Sequence, residues 1–179
     1  IRLFAIVGPN NDGHQYVANA LRSGAVAAVI DKPEFSLPSV IENAKLLYVE
    51  NTMTGIVNLA QFARSRTAAK VIAVTGSVGK TGSKEMLKLV LSEQGKTTAT
   101  IGNLNNHWGL PLSLTRMPRN TEFGVFEMGM NHAGEIAPLT KMSRPHVALI
   151  TTVEIAHYEF FESIEGIADA KAEIFRGIE

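Results

Sequence analysis

The stretch VIAVTGSVGKTG, residues 71–82, constrains this chain more than any other. An apolar, β-rich run enters a turn containing Gly76 and Gly79, and Lys80-Thr81 then opens a helical run. A strand–turn–helix of this kind suits a phosphate. Glycines let the backbone curl until successive N–H groups point inward, and the helix N-terminus adds partial positive charge. In that arrangement Lys80 reaches the β- and γ-phosphates of a nucleotide and the Thr81 hydroxyl serves Mg2+. The commonest form of the loop places a glycine where this chain has Val74, so the loop is a variant whose first glycine is Gly76. The alternative is a plain strand–turn–helix with a solvated lysine.

The rest of the chain repeats the alternation. Strands are predicted at 3–7, 26–30 and 46–49, with helices at 16–21 and 52–66, the second amphipathic with Ile56, Leu59, Ala60 and Ala63 on one face. Beyond about Ala68, strands are predicted at 71–75, 97–100, 123–128 and 147–152, and helices at 83–91, 135–142 and 164–178. The polar, glycine-rich stretch GNLNNHWGLP (102–111) reads as loop throughout. The expectation is an α/β protein with a mostly parallel sheet, divided into a small domain at 1–68 and a phosphate-loop domain at 69–179.

Composition narrows the function. Lys+Arg 17 against Asp+Glu 17 leaves no net charge, which removes a bulk electrostatic case for nucleic acid or anionic membrane. At 45% hydrophobic and 19% charged residues the chain can bury a core. No apolar run approaches the ~20 residues of a membrane span, and no signal segment opens the sequence. The absence of Cys excludes disulfides, thiolate zinc sites and cysteine nucleophiles, and is compatible with a reducing cytosol. A start at Ile1 and a helical pattern that stops abruptly at Glu179 lead us to expect a piece of a longer protein.

Open α/β sheets bind ligands at the carboxyl ends of their strands, where a nucleotide's metal needs ligands. Glu127, closing FGVFE, is a natural candidate, and an exposed strand-end glutamate is the equal alternative. His157 follows the next strand at the same edge, although a lone histidine there is more often a hydrogen-bonded structural residue. Lys171, in ADAKAEIF, reads by itself as a solvated helix lysine.

Several stretches together resemble one family, the Mur ligases, which build the peptide of bacterial cell-wall precursors. TGSVGKT matches the family's TGSxGKT loop, which accounts for the missing glycine. LFAIVGPNNDGHQYVANALRSGAVAAVI is similar to the family's amino-terminal UDP-sugar-binding domain. GNLNNHWGLP, FEMGMNHAGEIA and AHYEFFESIEGIADAKAEIF resemble segments typical of the dipeptide-adding members. The chain departs from the pattern at Thr151-Thr152, where Thr-Asn is usual, at Phe160 and Glu162, which replace glycines, and at Gly82, where Thr or Ser is frequent.

The resemblance implies an ATP-dependent amide ligase, cytoplasmic and monomeric, joining D-alanyl-D-alanine to UDP-N-acetylmuramoyl-tripeptide through an acyl phosphate. Gly76, Ser77, Val78, Gly79, Lys80, Thr81 and Gly82 would cradle ATP. Thr81 and Glu127 would hold one Mg2+. His157 would bind a second, together with Lys171 converted by CO2 to a carbamate. On the same basis Lys80, His157 and Lys171 would be the catalytic set. Asn103, Asn105 and Asn106 would lie near the nascent peptide, and the turn 9–14, with Asn11, Asp12 and His14, near the UDP end. The family's carboxy-terminal domain and adenine contacts would lie beyond Glu179, so the chain alone is expected to be inactive. The alternatives are a diaminopimelate- or lysine-adding or folylpolyglutamate-type ligase, a P-loop kinase or NTPase, and a fragment that only binds.

Overall fold

The computed structural model describes residues 2–37, 45–154, 160–161 and 163–179. They form two compact units, Ile1–Asn58 and Leu59–Glu179. The division falls inside a helix, Thr52–Ser65, so this one element contributes to both, and the sequence boundary at 68/69 lies just past its end.

The first unit contains strands β1 (Arg2–Phe4), β2 (Ala27–Ile30) and β3 (Leu46–Tyr48) in a parallel sheet of order β1-β2-β3. A 3-10 turn, Gly13–Tyr16, leads into helix α1 (Val17–Arg22). All four β2 residues are buried, as a continuous apolar run in the centre of a parallel sheet requires. Their core partners are Ala5 and Val17, with Leu3, Leu21 and Leu46 packed against them. Helix α1 ends where expected: Gly24 adopts φ 91°, its N–H bonds to Leu21 O (3.1 Å) and that of Ala25 to Ala20 O (2.9 Å). The expected strand 3–7 is cut short. Val7 bridges back to Asp12, and Gly8 N–H closes the turn on Asn11 O at 2.8 Å, so the chain leaves the sheet to form the turn 8–14.

The second unit begins in α2 (Thr52–Ser65), on which Ile56, Ala60 and Ala63 are buried. There follow β4 (Lys70–Thr75), α3 (Lys80–Ser92), β5 (Thr97–Ala99), α4 (Gly109–Thr115), β6 (Phe123–Glu127), α5 (Ile136–Ser143), β7 (Val147–Ile150) and α6 (Ile164–Ala172). The four strands are parallel in the order β5-β6-β4-β7. The chain leaves β4 toward one side and later crosses to the other, so the carboxyl end of β4 is a topological switch point. Among the described residues no helix is long and apolar enough to cross a membrane.

Two elements differ from the sequence expectation. The loop expected over 102–111 stops at Trp108, because Gly109 starts α4. Leu110 and Leu114 supply its buried face, the Asn106 side chain accepts the N–H groups of Trp108 and Gly109 (3.1 and 2.9 Å), and Pro111 falls in the first turn, where its missing N–H costs nothing. The helix expected over 164–178 ends at Ala172 and tightens into a 3-10 segment, Glu173–Gly177. That segment docks on α5: Thr140 Oγ1 donates to Ile174 O at 2.8 Å, and buried Glu173 accepts the N–H groups of Gly134 (2.6 Å) and Ala137 (3.0 Å). Glu173 thus caps a helix distant in sequence. Glu173→Ala is expected to cost about 2 kcal/mol in denaturant unfolding, the upper end for a lost cap. A midpoint shift no larger than that of a surface substitution would contradict this.

Candidate nucleotide site

The loop after β4 takes the conformation its glycines permit. Gly76 has φ 151° and Gly79 φ 85°, and a Cβ on Gly76 would collide with the Thr151 side chain. The residues following β7 brace the loop from that side. Thr151 Oγ1 donates to Val78 O at 2.6 Å, Ser77 N–H to Thr152 O at 2.9 Å and Val78 N–H to Thr152 Oγ1 at 3.1 Å. The expected strand 147–152 ends at Ile150, opposite Thr75, the last residue of β4, and Thr151 and Thr152 serve the loop instead. It also commits the Ser77 and Val78 N–H groups to Thr152. The N–H groups of the first turn of α3, which a helix cannot pair internally and which Gly79 has no side chain to cap, are donors for an anion. Gly82 sits in that turn with open space at its Cβ position, so a side chain is tolerated there.

Lys80 folds back over the loop, donating to Gly76 O (2.5 Å) and Ser77 O (3.3 Å). Thr81 Oγ1 donates to Glu127 Oε2 at 2.9 Å, and Asn105 Nδ2 donates to Glu127 Oε1 at 2.8 Å. Glu127 is 2% exposed, which removes the alternative of an exposed strand-end glutamate. Lys171 is likewise 2% exposed, not solvated. Burial, and then the charge of Lys80, pushes its pKa down to about 8. A signal for this was available: Ile167, Ala170, Lys171 and Ile174 lie at i, i+3, i+4 and i+7, and all four are buried.

Lys80, Asn105 and Lys171 meet at one cavity of about 290 Å3, lined also by Gly76 and Asn106, whereas Thr81 and Glu127 are not among its lining residues. Three further lining residues, His107, Asn131 and Glu135, were not among the sequence candidates. Glu135 accepts Asn131 N–H at 2.8 Å and contacts His132 Nδ1 at 3.1 Å, which orders the loop at the cavity wall. Asn103 is exposed and does not line it; its carbonyl supports the loop by accepting Asn105 N–H at 2.8 Å. His157 lies outside the described residues. Among those described, no three His, Cys, Asp or Glu side chains gather to hold a metal. A hydroxyl and a carboxylate side by side suit Mg2+, whose other ligands are phosphate oxygens and water. The Thr81–Glu127 pair therefore fits that ion.

Within the first unit, His14 is 4% exposed and both ring nitrogens are engaged, Nδ1 with Asp12 Oδ1 (2.6 Å) and Nε2 with Asp31 Oδ1 (3.3 Å). Asp31 Oδ2 in turn accepts Thr52 N–H at 2.9 Å. Asp12 also pairs with Lys32, and that bond, with those from His14, holds its carboxyl well below the usual carboxylate range. The Asp12 and His14 side chains thus buckle the turn 8–14 in place, while Asn11 is exposed.

A parallel sheet whose central strand ends in a glycine loop, with a hydroxyl–carboxylate pair beside it, defines a phosphate-loop α/β protein. Residues 74–179 match the Mur ligase middle domain, and the chain belongs to the Mur ligase family. It is 41% identical over 174 residues to the UDP-N-acetylmuramoyl-tripeptide--D-alanyl-D-alanine ligase of Rickettsia prowazekii (strain Madrid E), a match covering 97% of this chain and 38% of that protein. It superposes on a crystal structure of MurF from Acinetobacter baumannii with a TM-score of 0.88 at 37% identity, covering 99% of this chain and 38% of that one. For the MurF ligase from Thermotoga maritima in complex with ADP, the TM-score is 0.82 at 34% identity, covering 99% of this chain and 40% of that one. The chain thus spans well under half the length of these relatives.

Proposed function

We propose that this chain is part of an ATP-dependent ligase that joins D-alanyl-D-alanine to UDP-N-acetylmuramoyl-tripeptide in the cytoplasmic synthesis of cell-wall precursors. The observation that carries this reading is the meeting of Lys80, Asn105 and Lys171 at one polar cavity, beside the Thr81–Glu127 pair. Residues 1–68 would serve the UDP end of the substrate, and the ADP bound by the Thermotoga maritima relative supports a nucleotide at the loop.

In the first step a tripeptide carboxylate oxygen attacks the γ-phosphorus of ATP, ADP leaves, and an acyl phosphate forms. The amine of the dipeptide then attacks the acyl carbon, phosphate departs, and the amine loses a proton. Two anions must meet in the first step, so the site's main task is to offset charge and to align the reactants. Lys80 would exchange the carbonyls of Gly76 and Ser77 for phosphate oxygens. Thr81 and Glu127 would hold Mg2+, which supplies positive charge to the phosphate chain, and Asn105 would fix the orientation of the Glu127 carboxylate. Lys171, as a carbamate, would become an anionic oxygen donor for a second ion together with His157.

The test is ADP release by the whole protein. Release that requires both UDP-N-acetylmuramoyl-tripeptide and D-alanyl-D-alanine is expected. Stimulation by a free amino acid in place of the dipeptide would move the protein to another branch of the family. Phosphate transfer to a stable acceptor would make it a kinase.

A further inference from the structure

We propose that Lys84 is a positioning residue, which sets the spacing between α3 and the metal-binding carboxylate of Glu127. The inference rests on the nucleotide reading above and concerns a side chain that this reading leaves unused. Lys84 lies one turn beyond Lys80 and is wholly buried, at 0% exposure. Its Nζ donates to Thr100 O at 2.9 Å and pairs with Glu85 Oε1 at 2.8 Å. Glu85 is half exposed and also faces Lys88, at 3.6 Å.

Thr100 is the point through which this contact acts. It follows β5, its N–H bonds to Val125 O at 3.1 Å, and its buried hydroxyl accepts the N–H of Glu127 at 3.0 Å. One residue thus receives the Lys84 ammonium on its carbonyl and the Glu127 amide on its hydroxyl. Thr100 is also the root of the loop that brings Asn105 to Glu127 Oε1, while Thr81, on the same helix as Lys84, reaches Oε2. Lys84 therefore ties the helix carrying Lys80 and Thr81 to the strand end carrying their acidic partner. Packing alone does not call for an ammonium here, since a methionine of similar length fills the space without the desolvation penalty of a buried charge. Beside its pair with half-exposed Glu85, what the ammonium adds is a directional bond to Thr100 O.

The experiment measures ADP affinity of the whole protein by calorimetry, with and without Mg2+, for wild type, Lys84→Met and Thr100→Val. Lys84→Met should keep the metal-free affinity and lose about tenfold of the gain that Mg2+ brings, as when an outer partner of a metal ligand is removed. Thr100→Val, which keeps the carbonyl that Lys84 grips but removes the hydroxyl through which Thr100 holds the Glu127 N–H, should show the same selective loss and decides the matter if Lys84→Met does not fold. A full Mg2+ gain in either folded variant overturns the inference, and so does an equal loss with and without the metal. If wild type itself shows no Mg2+-dependent ADP binding, the nucleotide reading falls as well.

Discussion

Lys80→Ala is expected to lower turnover in the whole protein by about 10^2- to 10^3-fold, about 3 to 4 kcal/mol, the cost of removing one preorganised charge contact from a transition state. The physical reason lies in what Lys80 touches. Among the described residues its ammonium bonds to the carbonyls of its own loop, Gly76 and Ser77, and so contributes little to the core. The substitution should leave the thermal midpoint nearly unchanged while removing the one loop cation able to follow charge onto the γ-phosphate. Steady-state ADP release separates the effects: a fall in kcat beyond any change in KM marks a contact made mainly in the transition state. Near-normal turnover in a folded Lys80→Ala protein would remove Lys80 from the mechanism.

The second large effect is expected at Lys171. A carbamate forms when the neutral amine attacks CO2 and releases a proton, so its yield follows the unprotonated fraction of the lysine. Burial, assisted by the charge of Lys80, lowers the Lys171 pKa from 10.5 to about 8. A lowered pKa means the proton leaves earlier as pH rises. The carbamate signal in 13C-bicarbonate NMR should therefore climb from about pH 7 to about pH 9, where an ordinary lysine stays almost fully protonated. Lys171→Ala should lose about 10^2-fold or more in activity, as for a removed ligand-sphere group, and short carboxylic acids should restore part of it by placing an anionic oxygen in the vacated space. Undiminished activity in Lys171→Ala, or a signal flat across that pH range, would end the carbamate proposal.

The site was legible in the sequence wherever the chemistry is local. The loop from Gly76 to Thr81 declares itself through adjacent residues, because glycine placement and the strand before it act within a few positions. In sequence Glu127 fits an exposed strand-end glutamate as well as a metal ligand, and only its burial and its bond from Thr81 separate the two. Lys84 carries no local signal for the same reason. A lysine on an otherwise half-exposed helix gives no hint that a carbonyl from Thr100 waits beneath it. The stretch 102–111 reads as loop throughout because its polar residues are loop residues, whereas the helix from Gly109 is stabilised by burial of Leu110 and Leu114 and not by its own propensity.

By itself the sequence determined the alternation of strands and helices, the phosphate-type loop and the absence of cysteine chemistry, since hydrophobic period, glycine position and composition are properties of neighbouring residues. Only the tertiary structure decided that β4 lies between β6 and β7, that Thr152 pairs with the Ser77 and Val78 N–H groups, and that Glu127, Lys84 and Lys171 are buried. Those facts depend on partners far apart along the chain. Strand order and the desolvation of a charge are set by what packs against a residue, and no local pattern carries that information.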